Sequence, residues 1–433
     1  MNEVIAGCVA LLGLVFLFFS GLELAYCMLF VGFMGFVYLV NMKAAMHMVA
    51  NDFYDVFVSY GFTVFPIFIL MGQVAFVSGI AKKLYAAAYR FVGHVPGGLA
   101  IATIGGATVF KALCGSAAAT AATFTSVAIP EMDRYKYSKT LSTGIVATVG
   151  TLGCMLPPSV YLIIFGIITE QSIGKLFLAG IIPGLIMAAL FVVTVLVWAR
   201  INPSLAPAGE RSTWKERLAS LPEVAVAMAI FVLMIAGLME GFFTPTEAGS
   251  VGTMALLVLV FLRKQLDIKG YGRAVGDSAR TACMILMLIG SSTVLGHFIA
   301  VTGIPQVIAS WIADLPIHRN LVMVIILFVY LIGGSIIDDL AFVILATPIF
   351  YPAVLKLGFD PIWFGIMIGI SQMIGVVIPP VAINVFIVSN MTKTPMSVVY
   401  KGVAPFLIGM VVFAGFLFIY PELALFLPNY LMK

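Results

Sequence analysis

Ionisable residues are scarce in the long apolar runs of this sequence, and three of them stand where a helix has reason to stop. Asp338 and Asp339 end the stretch GGSIIDD at 333–339, and Lys111 comes just before CGS at 114–116. A charge inside an apolar run is expensive to bury and is a functional candidate by default. Asp338 can ligate a cation, or it can cap a helix N-terminus, which Asp also does. Lys111 can meet an anionic substrate, pair with Asp338 or Asp339, or snorkel to the membrane surface. These readings stay open at this level.

Two further stretches match each other, GCMLPPSV at 153–160 and GVVIPPVA at 375–382. Each sets a Gly, three residues and a Pro pair inside an apolar run. An interior Pro removes a helical hydrogen bond and clashes with the preceding turn, at about 3 kcal/mol or more. Pro157, Pro158, Pro379 and Pro380 therefore predict two broken helices. In lipid, irregular backbone survives only inside protein or beside a polar cavity. The freed carbonyls suit a hard cation such as Na+, and the N-terminal ends of half-helices suit an anionic group. In GSAAATAATFTS at 115–126, small residues allow close helix approach, and Ser116, Thr120 and Thr123 are candidate ligands by position alone.

The elements that must hold these groups are membrane helices. The chain has 433 residues, 62% hydrophobic and 10% charged, which is far too little charge for a water-facing surface. The net charge of +4 is read as loop Lys and Arg on one membrane face. Runs of about 20 apolar residues fall at 4–20, 21–40, 62–80, 140–168, 177–198, 223–239, 247–262, 279–300, 361–389 and 403–427. The start carries Glu3 and no basic segment, and is read as a retained first span. Two stretches, 97–131 and 320–352, are long for one span and short for two. Each has a weak point near its middle, which predicts re-entrant helical hairpins turning at mid-membrane.

Basic residues flank both ends of the first hairpin: Lys82, Lys83 and Arg90 before it, Arg134, Lys136 and Lys139 after it. Following the positive-inside rule along the chain puts the second hairpin's entry on the opposite, periplasmic face, with both termini periplasmic. Gly115 to Pro157 is 42 residues and Gly334 to Pro379 is 45. The expected fold is thus an all-α polytopic membrane protein with an inverted repeat, two re-entrant hairpins and two Pro-Pro-broken helices, the sign of an alternating-access carrier. The expected parts are N-terminal scaffold helices (1–80), a first repeat (81–199), a cytoplasmic loop with scaffold helices (200–300), and a second repeat with the last span (301–433). The segments 81–94 and RSTWKERLASLP at 211–222 are amphipathic enough to lie flat on the membrane. His297 is read as an interface residue, and Glu240 and Glu247 as solvated or capping.

At this point the residues resemble a known family. CGSAAATAA at 114–122 with IPEM at 129–132, LPPS at 156–159, LFLAGIIPG at 176–184, TPTEAGS at 244–250, IIDDLAFVILATPI at 336–349 and IPPVAINVF at 378–386 occur together and in order. The chain resembles, over nearly its whole length, the large membrane subunit of a tripartite ATP-independent periplasmic (TRAP) transporter. The resemblance implies a small four-helix membrane subunit and a periplasmic substrate-binding protein as partners, with docking near 41–61, 240–246 and 353–360. It implies Na+-driven import of a small organic anion, a carboxylate or a sulfonate, across the bacterial inner membrane by an elevator mechanism, without ATP or another cofactor. The residues implied to bind Na+ are Gly115, Ser116, Pro157, Gly334, Ser335, Asp338 and Pro379. Those implied to contact substrate are Lys111, Ser116, Thr120, Pro158, Ser159, Asp339, Pro380 and Asn384. Lys111, Cys114, Asp339 and Ala382 depart from the family's usual residues near that site.

Other classes fit less well. The Asp338–Asp339 pair lacks the GxGD turn of intramembrane aspartyl proteases, and HExxH and GxSxG are absent, so no enzyme is expected. A channel would not need opposed hairpins. A stand-alone anion exchanger or a proton-coupled carrier is the alternative transporter. The five cysteines lie in apolar runs with no CxxC, so neither disulfides nor structural zinc is expected.

Overall fold

In the absence of water a helix satisfies its own backbone, and the computed structural model of this chain is helical throughout its described residues, with no strand among them. It describes residues 3–304, 306–307 and 318–432. The boundary expected before the second repeat runs into 305 and 308–317, which lie outside the described residues.

The N-terminal helices are α1 (Glu3–Phe19), α2 (Leu24–Leu39), α3 (Met42–Val58), α4 (Val64–Val77) and α5 (Ile80–Val92). A helix pair follows, α6 (Gly98–Lys111) and α7 (Ala117–Arg134), and then an interrupted helix, α8 (Lys139–Thr151) and α9 (Val160–Ile168). After α10 (Ile173–Ile201) come α11 (Trp214–Met239), α12 (Pro245–Leu262) and α13 (Ile268–Val301). The pattern then recurs as a pair, α14 (Arg319–Ile336) and α15 (Asp339–Lys356), and an interrupted helix, α16 (Pro361–Gly375) and α17 (Ile383–Thr392). The chain ends in α18 (Met396–Ile419) and α19 (Glu422–Leu431).

Among the described residues, eight helices are long and apolar enough to cross a membrane: 60–77, α10 to α15 and α18. The chain is a polytopic membrane protein. Helices α1, α2 and α6 are apolar but shorter, as are both halves of the second interrupted helix. The arms α14 and α15 have 18 residues each, a rise of about 27 Å, so they are longer than the short arms expected from the sequence.

Both helix pairs are closed hairpins. In the first, the Tyr137 hydroxyl, just past α7, accepts from Leu99 N at the start of α6 (3.3 Å). In the second, Arg319 at the start of α14 donates to Leu357 O at the end of α15 (3.4 Å) and lies over the Phe359 ring. Helix α10, about 43 Å long by its 29 residues, relates the two. Beyond its C-terminal end, Ala206 O and Leu205 O accept from Gly97 N (3.1 Å) and Ser138 N (3.0 Å), which flank the first hairpin. Before its N-terminal end, Gln171 donates to the Tyr351 hydroxyl of the second hairpin (3.1 Å). The open ends of the two hairpins therefore lie at opposite ends of α10.

The basic segments gather on the first hairpin's side. Glu223 pairs with both Lys83 and Arg263, Arg90 donates to Glu216 O (3.1 Å), and Gly209 N donates to Gly93 O (2.8 Å). Helix α5 thus runs beside the first turns of α11. Its apolar stripe, Ile80, Ala81, Leu84, Tyr85 and Ala87, is buried. Thr213 and Glu216 form a capping box at the start of α11, and Thr244 and Glu247 form one at the start of α12, so Glu247 is a capping residue.

Three further expectations change. The 41–61 segment, expected as a loop, is mostly helix α3. Its charges disguised it, although its buried residues Ala45, Asp52 and Val56 fall on one face. Asp52 Oδ2 lies 2.9 Å from His297 Nδ1 of α13, so His297 has a specific partner. The 214–222 segment is not a separate flat helix, because it continues through Pro222 into α11. The last span, expected over 403–427, ends at Ile419, and α19 follows after Pro421.

Small residues set the closest crossings. A Cβ at Gly144 of α8 would collide with the Gly402 backbone of α18, and one at Gly402 with Thr140 O. Gly144→Ala and Gly402→Ala should each lower thermal stability by about 1–3 kcal/mol through overpacking. Gly415→Ala, which meets nothing within 4 Å, should be neutral or slightly stabilising in the same melting assay. Opposite labelling is expected for single cysteines at the exposed positions Glu210 and Lys356, tested without the exposed Cys8 and Cys283. A membrane-impermeant thiol reagent should reach one from each side, and labelling from the same side would refute the opposed hairpins.

Candidate functional site

Each hairpin turns just before an N-cap. Ser116 Oγ accepts from Ala119 N (3.2 Å) and starts α7. Asp338 Oδ1 accepts from Leu340 N and Ala341 N, both at 3.2 Å, and starts α15. Of the two readings of Asp338, the structure displays the cap, and the cap uses only one of the two carboxylate oxygens. Asp339 begins the same helix. Its Oδ2 accepts from Cys154 Sγ (3.5 Å), which sits in the break of the first interrupted helix. The tip of one hairpin thus touches the broken helix that follows the other.

These groups surround a cavity of about 300 Å³. One wall is the first tip and the first turn of α7, from Cys114 to Ala119; another is Asp338, Asp339 and Leu340. Gly153, Cys154, Val160 and Tyr161 of the interrupted helix close the third side, and Gln73 of α4 and Thr281 of α13 face them. The first-turn N–H groups of α7 and its positive dipole end therefore share one space with two carboxylates.

Of the expected site residues, Gly115, Ser116, Asp338 and Asp339 line this cavity. Gly115 has no room for a side chain because Pro158 O lies against it. Pro157 and Pro158 are buried, and Ser159 caps α9 by accepting from Leu162 N (3.5 Å). Thr120 Oγ1 donates to Ser116 O (2.9 Å) and Thr123 Oγ1 to Ala119 O (2.6 Å), so both hydroxyls bond their own helix. Lys111 is fully buried. Its Nζ donates to Ser116 O (2.8 Å) across the tip. It does not reach the membrane surface, and among the described residues it forms no ion pair with Asp338 or Asp339.

The remaining residues form a second cluster at the second tip. Ser335 O accepts from Val381 N (3.0 Å) and Ala382 N (3.4 Å), which joins that hairpin to the break between α16 and α17. Ala382 has φ 51, ψ 74, a left-handed conformation that glycine takes without cost. Pro379 and Pro380 are exposed there, unlike their buried counterparts. Asn384 sits away from the cavity. Its Nδ2 donates to Ala147 O of α8 (3.2 Å), and its Oδ1 is buried without a partner.

Sequence reasoning missed Gln372 and Cys154. Gln372 is fully buried. Its Nε2 donates to Tyr330 O (3.3 Å), and its Oε1 has no partner and occupies the space a side chain at Gly334 would need. A buried acceptor without a donor is costly. Beside Gly334 and Ser335 it fits a hard cation, which seeks such oxygens. A lone amide in the apolar run MIGISQMIG was the available signal.

From residue 11 to residue 423 the sequence matches the family described as the Tripartite ATP-independent periplasmic transporter, DctM component. This chain belongs to that family. One relative, the C4-dicarboxylate TRAP transporter large permease protein DctM of Pseudomonas aeruginosa, is 34% identical over 84% of this chain and 86% of its own length. Another, the isethionate TRAP transporter permease protein DctMQ of Oleidesulfovibrio alaskensis, is 32% identical over 78% of this chain and 54% of its own length. The fold is similar to the YdaH transporter of Alcanivorax borkumensis, with a TM-score of 0.58, 12% identity and coverage of 89% of each chain. The recognition made from the motifs therefore holds: the TRAP-permease motifs CGSAAATAA and IIDDLAFVILATPI are the two hairpin tips with the helices that start at them.

Because Asp338 is an N-cap, its replacements should separate by chemistry. Asp338→Ala should cost about 1 kcal/mol of stability, and Asp338→Asn only a small part of that, since Asn caps as well as Asp. Thermal melts of the purified variants measure both. Equal losses would refute the cap.

Proposed function

We propose that this chain imports a small organic anion, a carboxylate or a sulfonate, across the bacterial inner membrane, driven by a Na+ gradient. The observation that carries this reading is the cavity where both hairpin tips meet. An anion held at the first turn of α7 faces Asp338 and Asp339 across the same space. At an effective dielectric of 20, unit charges roughly 6 Å apart repel by about 3 kcal/mol, roughly a hundredfold in affinity. A cation bound beside the carboxylates removes that repulsion, which ties substrate binding to Na+. Gln372, Gly334 and Ser335 would hold such an ion at the second tip.

In this reading α6 to α10 and α14 to α19 form a mobile transport domain built as an inverted repeat, with the hairpins re-entrant. Helices α1 to α4 and α11 to α13 form the scaffold, widened by a small four-helix membrane subunit. A periplasmic binding protein delivers the substrate to the outer face, where both termini also lie. The dicarboxylate and isethionate relatives support an anion of this size and charge. The opposite placement of the hairpin openings along α10 supports the inversion.

The membrane potential sets a minimum ion count. Each charge crossing 100 mV is worth about 2.3 kcal/mol, so a dianion entering a negative interior works against about 4.6 kcal/mol. About three Na+ make dianion import favoured by voltage, and about two suffice for a monoanion, by the same arithmetic. The test is reconstitution into liposomes with and without both partners, measuring uptake of a panel of carboxylates and sulfonates. Uptake is expected only with partners and external Na+, and to stop in K+ buffer. Robust Na+-free uptake driven by a pH gradient, or by the single chain alone, would overturn the reading. In the same assay Asp338→Asn should raise the Na+ concentration for half-activation about tenfold, as loss of a full charge beside a cation requires. Unchanged Na+ activation would leave Asp338 as a cap only.

A further inference from the structure

The two interrupted helices share the register Gly-x-x-x-Pro-Pro, with Gly153 matching Gly375. Three residues earlier stand Gly150 in the first and Gln372 in the second. The pair is not equivalent in chemistry. At the second tip a polar side chain comes from the interrupted helix. Gln372 bonds Tyr330 O through its nitrogen and leaves Oε1, an acceptor, free. At the first tip the polar side chain comes from the hairpin instead. Lys111 crosses to Ser116 O at 2.8 Å and lies against Gly153, where a Cβ would strike its Nζ.

An ammonium group is a donor with no acceptor. Lys111 is completely buried and no carboxylate pairs with it among the described residues. It is the last residue of α6, whose C-terminal end carries the partial negative charge that favours a cation. The Ser116 carbonyl oxygen and the helix C-terminus both favour a positive charge, and here a side chain of the protein supplies it. Ser116 O already accepts from Lys111 Nζ, Thr120 Oγ1 and Thr120 N, and a Na+ at the first tip, as the sequence reading expects, would face a buried positive charge.

We propose that Lys111 is a resident cation of the first hairpin tip, standing where a coupling ion would otherwise bind, so that this transporter takes one Na+ fewer than its two-fold architecture provides for. The inference rests on the Na+-coupled reading and deepens it. A tethered charge travels with its domain in both directions and makes no net transfer, whereas a bound Na+ is released.

The test measures radioactive Na+ binding, with Na+ as the only probe, on the full chain in lipid nanodiscs in choline buffer. Lys111→Ala empties the place. Lys111→Gln keeps the volume and copies the donor-plus-acceptor arrangement of Gln372, so it reads the outcome if the Ala variant does not fold. Each should bind one more Na+ per chain than the wild type, while Lys111→Arg should keep the wild-type number. An unchanged number in folded Lys111→Gln or Lys111→Ala protein would overturn the proposal. A wild type that binds no Na+ would defeat the coupling reading instead. In that case a single new site in Lys111→Gln would still support the resident cation, and its absence would overturn it.

Discussion

A backbone that leaves the helix inside a membrane must find its hydrogen bonds in protein, and the architecture of this chain follows from meeting that demand twice. The first interrupted helix and its break are buried without interruption from Leu141 to Gly166, whereas the second is buried from Ile362 to Val377 and its break opens at Pro379–Val381. Neither run could face lipid, because the broken turns at 152–159 and 376–382 expose carbonyls that hydrocarbon cannot satisfy. The surrounding helices are arranged to enclose these two segments. Gly180 of α10 lies so close that a Cβ there would strike Met155 O, and Gly402 of α18 lies directly on Gly144 of α8. Glycine at these points lets neighbouring helices close over the first interrupted helix and its break.

Enclosure also couples the two halves. Each break is held by the tip of its own hairpin, Gly115 against Pro158 and Ser335 O under Val381 N and Ala382 N. Each half also reaches into the other: Cys154 donates to Asp339, Asn384 donates to Ala147 O, and the Tyr161 hydroxyl donates to Gly365 O at 2.6 Å. The breaks, tips and crossed contacts form one connected body. A change at one tip is therefore felt at the other through packed groups with few alternative arrangements.

Much of this was legible before the structure. Four prolines in two matched places, with glycine at a fixed offset, locate both interruptions, and basic residues on both sides of 97–131 identify a hairpin. The two tips and the carboxylates facing the cavity followed from the same residues. What was not legible depends on side-chain reach or on mixed composition. Helix α3 carries Lys43, His47, Asp52 and Asp55 in 17 residues, so it reads as a loop until Asp52 is seen to meet His297. Periodicity cannot tell which way Lys111 turns: outward, toward the aspartates or across its own tip. Gln372 is a lone amide in an apolar run, and its meaning appears only once Gly334 lies beneath it.

The asymmetry between the halves has a consequence for the cavity's charge. The two tips stand at matching points of the recurring hairpin and interrupted helix, but they carry groups of opposite hydrogen-bonding sense. The first ends in an N-cap without charge, Ser116, and carries the Lys111 ammonium behind it. The second ends in Asp338 and Asp339, with the free oxygen of Gln372 behind. One wall of the shared cavity is thereby electropositive, from the first turn of α7 with a buried cation at its back, and the opposite wall is electronegative. On the proposed function, a small anion would bind at the first wall and a mobile cation at the other. In a space of about 300 Å³ charges of opposite sign on these two walls would each reduce the cost of binding the other. The proposed function thus draws on the difference between the two tips, not on their likeness, to hold a substrate and an ion of opposite sign together.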